Sequence, residues 1–166
     1  MPSMVGSEKW VVNASPLICL GKMGRLGWLD QLAAEIVIPS GVAREMEIGP
    51  ADDGARQWLQ SEGAARVRGV EQVDAEIAAW DLGAGESAVL TWARRHAGSI
   101  AILDDRAARR CADVFDIPVC GTIGVLMRAK RADLVSNLAE VLDAAVKAGL
   151  YLSPAVRREA LRLVGE

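Results

Sequence analysis

The sequence is poor in the residues that usually carry acid–base and redox chemistry: one histidine, three cysteines, one tyrosine and one phenylalanine in 166 residues. His96 ends the run Arg94-Arg95-His96 at an expected helix C-terminus, where the helix dipole favours the ring, and it reads as structural. A serine or cysteine nucleophile is then left without a base. Cys19, Cys111 and Cys120 are odd in number, lack CxxC spacing and lie inside apolar runs, so they read as reduced core thiols. No run approaches the roughly 20 apolar residues that span a bilayer. The start, MPSMVGSEKW, lacks the basic and then apolar layout of a secretory signal, and a cytoplasmic protein is expected. There is no GxxxxGK[ST] phosphate loop, no GxGxxG after a strand and no GxSxG elbow, and the glycines of LGAGES match none of these. Linkers, repeats and low-complexity tracts are also missing.

What is present is a globular composition, 51% apolar and 25% charged, long enough for one domain of ordinary size. The net charge of -3 argues against a wholly basic nucleic-acid coat. Basic residues nevertheless gather mid-chain, at Arg94 and Arg95, at Arg106, Arg109 and Arg110, and at Arg128, Lys130 and Arg131. That third of the chain is where a phosphate backbone would be met; solvated helix faces are the plainer explanation of any one cluster.

The stretch 100–122, IAILDDRAARRCADVFDIPVCGT, organises the rest. An apolar run meets Asp104 and Asp105, a basic amphipathic helix follows, and a second apolar run over 117–120 ends at Gly121 and Thr122. Further strands are expected at about 10–13, 35–38, 65–69 and 99–103. Ser15 before Pro16 marks a helix start. Helices are also expected from Ser40, over 51–61, around 73–80, after Gly83 and Gly85, and over 124–132, 135–148 and 153–164. Strands alternating with helices imply an α/β protein with a mostly parallel sheet covered on both faces.

In such a sheet, ligands sit beyond the carboxyl ends of the strands. Asn13, Asp104 and Asp105 end strands there, while Glu45 and Glu86 lie in early helical turns. Carboxylates brought together repel, and a hard cation such as Mg²⁺ or Mn²⁺ removes that penalty through oxygen coordination. It also polarises a phosphodiester oxygen and acidifies a bound water, which suits a chain with one histidine. Helix capping competes as an explanation of either aspartate, dipole compensation as one of Glu86, and solvation as one of Glu45.

Four blocks, VVNASPLICLGKMGRL, IPSGVAREM, LGAGESAVLTWA and ILDDRAARRCADVFDIPVCGTIGVL, together resemble the PIN-domain family, and the tail from about residue 133 resembles the helical C-terminal extension of its PIN-like nuclease and toxin subgroup. The resemblance implies one PIN-like domain over 1–166, a Rossmann-like three-layer α/β/α sandwich, and an acidic Mg²⁺ or Mn²⁺ site for hydrolysis of RNA. It places Glu45, Glu86 and Asp104 or Asp105 at the family's acids, and Thr122 at a hydroxyl that supports the site, with Ser15 nearby. It also implies a homodimer and, in many members, a toxin held by a small antitoxin protein. Arg106 and Arg109 are the residues placed to touch phosphate.

One position departs from the pattern, because Asn13 stands where the first acid is expected. An amide oxygen can coordinate a cation but carries no charge, so metal affinity and water placement should both suffer. Two function classes therefore follow: a metal-dependent endoribonuclease, or a PIN-like module that binds nucleic acid or a partner without turnover. A small α/β domain whose acids only cap helices is the third.

Overall fold

A computed structural model describes residues 6–50 and 54–166. Five strands, β1 (Lys9–Val12), β2 (Glu35–Pro39), β3 (Val67–Arg68), β4 (Ser99–Ile102) and β5 (Val119–Cys120), alternate with helices. The helices are α1 (Ala14–Lys22), α2 (Trp28–Leu32), α3 (Ser40–Glu47), α4 (Gly54–Gln60), α5 (Ala75–Ala78), α6 (Ala84–Arg95), α7 (Arg106–Val114), α8 (Thr122–Arg131), α9 (Leu138–Lys147) and α10 (Pro154–Leu163). Every strand pairing is parallel, in the order β3-β2-β1-β4-β5. The central strands are buried on both faces, as crossover helices require: Trp10, Val11 and Val12 are at most 1% exposed, and Ala101 and Ile102 are fully covered. Helix α6 packs across β2, β1 and β4, while α2 and α8 touch each other and reach β2 and β5. The α/β sandwich with a parallel central sheet is thus as expected.

Element boundaries differ from the sequence reading where side chains intervene. Helix α1 starts at Ala14, with Asn13 rather than Ser15 in the cap position. Pro16 is tolerated one turn in, because none of the first N–H groups has an intrahelical partner. Only Val67 and Arg68 of the expected strand 65–69 pair, at the half-covered sheet edge, and residues 64–66 form a 3-10 turn. Helix α8 begins at Thr122 rather than Gly124. Helix α9 begins at Leu138 rather than Val135, because the Asn137 side chain accepts the Glu140 N–H at 3.1 Å. Of the helix expected over 51–61, residues 51–53 lie outside the described residues and the rest forms α4.

Helices α9 and α10 form a hairpin that buries Leu138, Leu142, Ala145 and Ala160. Its turn is fixed at both ends. Gly149, at φ 106°, lets Gly149 N–H donate to Val146 O and Leu150 N–H to Ala145 O, both at 3.0 Å, the Schellman closure of a helix. Ser153 then caps α10 through the Val156 N–H at 3.2 Å, with Pro154 at its first position. At the far end the Glu166 carboxylate accepts the Leu138 N–H at 2.7 Å and the Ala139 N–H at 3.2 Å, with Lys130 at 3.1 Å.

Those bonds, the Leu138 N–H first among them, lower the Glu166 pKa below the ordinary carboxylate value. A carboxylate depressed in the folded state stabilises the fold above its unfolded value of roughly 4.3, and that contribution fades as pH falls through the lower folded value. Glu166→Ala should therefore melt below wild type at pH 7, and the gap should close toward pH 3; a gap independent of pH in paired thermal melts would contradict this role.

Candidate active site

Strands β1 and β4 are neighbours, with Val12 opposite Ile102, and both leave the sheet in the same direction. The crossover from β1 runs to β2 on one side and β4 returns on the other, so the edge beyond them is the topological switch point of the sheet. Asn13 follows β1 and donates its backbone N–H to Ile102 O at 3.0 Å. Asp104 follows β4 by two residues.

Asn13 is 2% exposed and stands in the cap position of α1, yet its side chain makes no cap. It turns instead toward α6, where Nδ2 donates to Glu86 Oε1 at 3.3 Å. A carboxylate accepts only, so the amide nitrogen must face it and Oδ1 must point away. Oδ1 is buried without a partner. An unpaired buried acceptor costs about 1–3 kcal/mol and calls for a reason.

Glu45, on α3, sends Oε1 to the Gly85 N–H at 2.8 Å, in the first turn of α6. A side chain at Gly85 would require the Glu45 carboxylate to move. A Cβ there would lie 2.8 Å from Glu45 Oε2, 3.0 Å from Glu45 Oε1 and 3.1 Å from Asn13 Oδ1, so the missing side chain is what lets these oxygens gather. At Gly83 a Cβ would collide with Glu86 Oε2. The sequence places Gly85 ahead of this helix, with no role in the site; α6 instead begins at Ala84 and holds Gly85 in its first turn, one residue before an acid.

Among the described residues Asp104 is held by Thr122, its Oδ1 accepting the Thr122 N–H at 2.7 Å and its Oδ2 the Thr122 hydroxyl at 2.6 Å. Thr122 is fully buried in the first turn of α8. The adjacent Asp105 has a different task, capping α7 through the Ala108 N–H at 2.9 Å. Three helix N-termini, of α6, α7 and α8, thus each receive one carboxylate at this edge, which the dipoles and free N–H groups stabilise without any ion.

Asp104 stands where three clefts adjoin. One of about 530 Å³ is shared with Arg106, Arg109, Tyr151 and Ser153. A second, about 360 Å³, is shared with Ser15, Cys19, Lys22 and Tyr151, and a third of about 450 Å³ with Arg109 and Arg128. Asn13, Glu45 and Glu86 make one group, and Asp104 with Thr122 the other. Among the described residues no three His, Cys, Asp or Glu side chains are disposed to share an ion, since the first group holds two carboxylates and an amide.

The remaining candidates for chemistry are otherwise engaged. The His96 ring stacks on Trp92, centroids 3.9 Å apart, with Nδ1 2.9 Å from Trp92 O. Burial pushes all three thiols above their ordinary pKa; the Asp104 charge adds to this at Cys19, where Lys22 opposes it. Protonated buried thiols are poor nucleophiles. Among the basic clusters, Arg94 and Arg95 pair with Asp74, Arg128 with Glu8 and Lys130 with Glu166.

A parallel sheet covered by helices, with acidic side chains gathered at its switch point, defines an α/β sandwich. The chain belongs to the PIN-domain family: a family model described as a PIN domain matches residues 9–166. No curated protein and no solved structure matches it. No helix among the described residues is long and apolar enough to cross a membrane.

Gly85→Ala should leave the fold intact, because the Glu45 carboxylate is the mobile end of its side chain and alanine favours helix. It should nonetheless displace Glu45 and weaken Mn²⁺ binding on the order of ten-fold, as loss of a ligand-orienting contact does. A calorimetric Mn²⁺ titration identical to wild type would show that Glu45 and Asn13 do not share a site.

Proposed function

We propose that this chain is an Mg²⁺- or Mn²⁺-dependent endoribonuclease that hydrolyses phosphodiester bonds at the edge of the sheet between Asn13, Glu45, Glu86 and Asp104. The observation that carries this reading is the buried, unpartnered Oδ1 of Asn13. Helix capping explains where Glu45, Asp104 and Asp105 place their oxygens, but it leaves that acceptor empty beside two carboxylates. A cation is the complement that an all-acceptor pocket lacks.

The proposed donors suit a hard ion, being entirely oxygen: Glu45 and Glu86, with Asn13 as a neutral ligand or water positioner, and Asp104, which stands apart with Thr122, acting through water. When bound, such an ion polarises a phosphodiester oxygen and lowers the pKa of a water. The chain's own residues do the rest. Thr122 fixes both oxygens of Asp104, Gly85 fixes Glu45, and the Asn13 amide holds Glu86. Arg106 and Arg109, on the Asp104 cleft, meet the phosphates, and Ser15 lines the adjoining one. Asp104, which lines the clefts, is the strand-end ligand of this reading, and Asp105, with one oxygen outside the α7 cap bond, is a further acid of the site.

The family resemblance supports three further proposals: the toxin of a toxin–antitoxin pair, acting as a cytoplasmic homodimer and inhibited by a small antitoxin; RNA as the substrate; and one domain over 1–166 whose last part, from about 133, is an extension. A second reading keeps the fold and the binding surface without turnover. The amide at position 13 favours it, because one negative charge is missing from a hard-ion site.

Asp104→Ala should lower Mn²⁺-dependent cleavage of a structured RNA by at least about a hundred-fold; equal background from wild type and variant would sink the enzyme reading. Asn13→Asp places a third carboxylate against Glu86. It should lower the metal-free melting temperature and bind Mn²⁺ roughly ten-fold tighter, equivalent to about 1.4 kcal/mol. Unaltered Mn²⁺ affinity in that variant would remove position 13 from the metal site, whereas cleavage appearing only in the variant would favour the module without turnover.

A further inference from the structure

Tyr151 is the chain's single tyrosine and is 82% exposed, and it lies on two of the three clefts that meet at Asp104. A lone exposed apolar residue needs no explanation. This one differs in how it is held and in what surrounds it. It stands at the centre of a six-residue turn closed on one side by the Gly149 Schellman bonds and on the other by the Ser153 cap, so its backbone is fixed although its ring is open to water. Both helices that flank the turn are anchored by the buried Leu138, Leu142, Ala145 and Ala160.

The cleft it borders is also charged in one sense away from Asp104. Arg106 and Arg109 line the larger cleft and Lys22 the smaller. Among the described residues none of the three takes part in an ion pair, while Arg94, Arg95, Arg128 and Lys130 all do. A rigidly presented aromatic face beside unpaired cations is the arrangement that binds an unpaired strand: the phosphates meet the cations and a base lies flat on the ring. A duplex cannot use it, because its bases are already stacked on one another.

We propose that Tyr151, on the α9–α10 turn, is a base-stacking platform for the nucleic acid that reaches this site. The proposal rests on the nuclease reading above and adds the residue that reads an unpaired base. Tyr151 is a specificity residue that shares its clefts with Asp104 but supplies none of the oxygens that would hold metal.

The test is fluorescence anisotropy with the full chain in metal-free buffer. The probes are a labelled 12-nucleotide single-stranded RNA, the same strand with abasic positions, and the corresponding duplex. Wild type should prefer the base-bearing single strand, Tyr151→Ala should weaken it roughly ten-fold, and Tyr151→Phe should retain it. On the abasic strand wild type and Tyr151→Ala should bind alike, which a merely structural role for Tyr151 would not produce. The proposal is overturned if Tyr151→Ala binds the base-bearing strand as wild type does, if its loss is equal on the abasic strand, or if duplex and single strand bind equally. Metal-dependent cleavage, assayed separately on the same proteins, distinguishes the two ideas: cleavage with no stacking effect leaves the nuclease and removes the platform. Absence of all RNA binding removes the platform, and absence of metal-dependent cleavage removes the nuclease.

Discussion

Everything at the functional edge depends on three helix N-termini pointing toward it. Helices α6, α7 and α8 each begin with N–H groups that no turn of their own can satisfy, and each receives a carboxylate: Glu45 at Gly85, Asp105 at Ala108 and Asp104 at Thr122. The parallel sheet enforces this, since a helix that follows a strand starts at the strand's carboxyl end, and α6, which precedes β4, must begin there to lead back into it. Acids are thus collected at one place by the same bonds that stabilise the helices. Collecting them needs no ion, and for that reason the acids alone are weak evidence of a metal.

Asn13 alters that balance. A carboxylate at its place would repel Glu86, and only a cation would relieve the repulsion. The amide removes the repulsion by donating to Glu86, at the cost of leaving its own oxygen buried and unpaired. The site is therefore self-consistent without metal on one side of Asn13 and incomplete on the other. That asymmetry connects the two function classes: the same substitution lowers the charge available to a cation and leaves an acceptor turned toward where one would sit.

The C-terminal hairpin contributes a wall that the α/β core does not supply. The α8–α9–α10 packing, with Glu166 bonded to the first N–H groups of α9, brings the 148–153 turn to the Asp104 clefts. The core supplies the acids and the cationic face of α7, and the hairpin supplies the only tyrosine. On the function proposed above, chemistry and selectivity would reside on different layers of the molecule, and one could change without the other.

The strand, helix, strand order around ILDDR, the parallel sheet and the acids at strand ends were legible in the sequence, because apolar runs closed by Asp, Pro or Gly are local signals. The last helix, expected over 153–164, and the three cysteines as core thiols were legible for the same reason. What the sequence could not decide was which of two adjacent aspartates caps and which faces the cleft. Asp105 and Asp104 differ only in their partners, Ala108 three residues away and Thr122 eighteen residues away, and the second of these exists only once β5 lies beside β4. Likewise Asn13 reads locally as a strand end ahead of a helix start at Ser15, and only tertiary packing turns its amide to Glu86, seventy-three residues on. Local chemistry set the elements; the sheet order, which places distant residues side by side, set which oxygens meet.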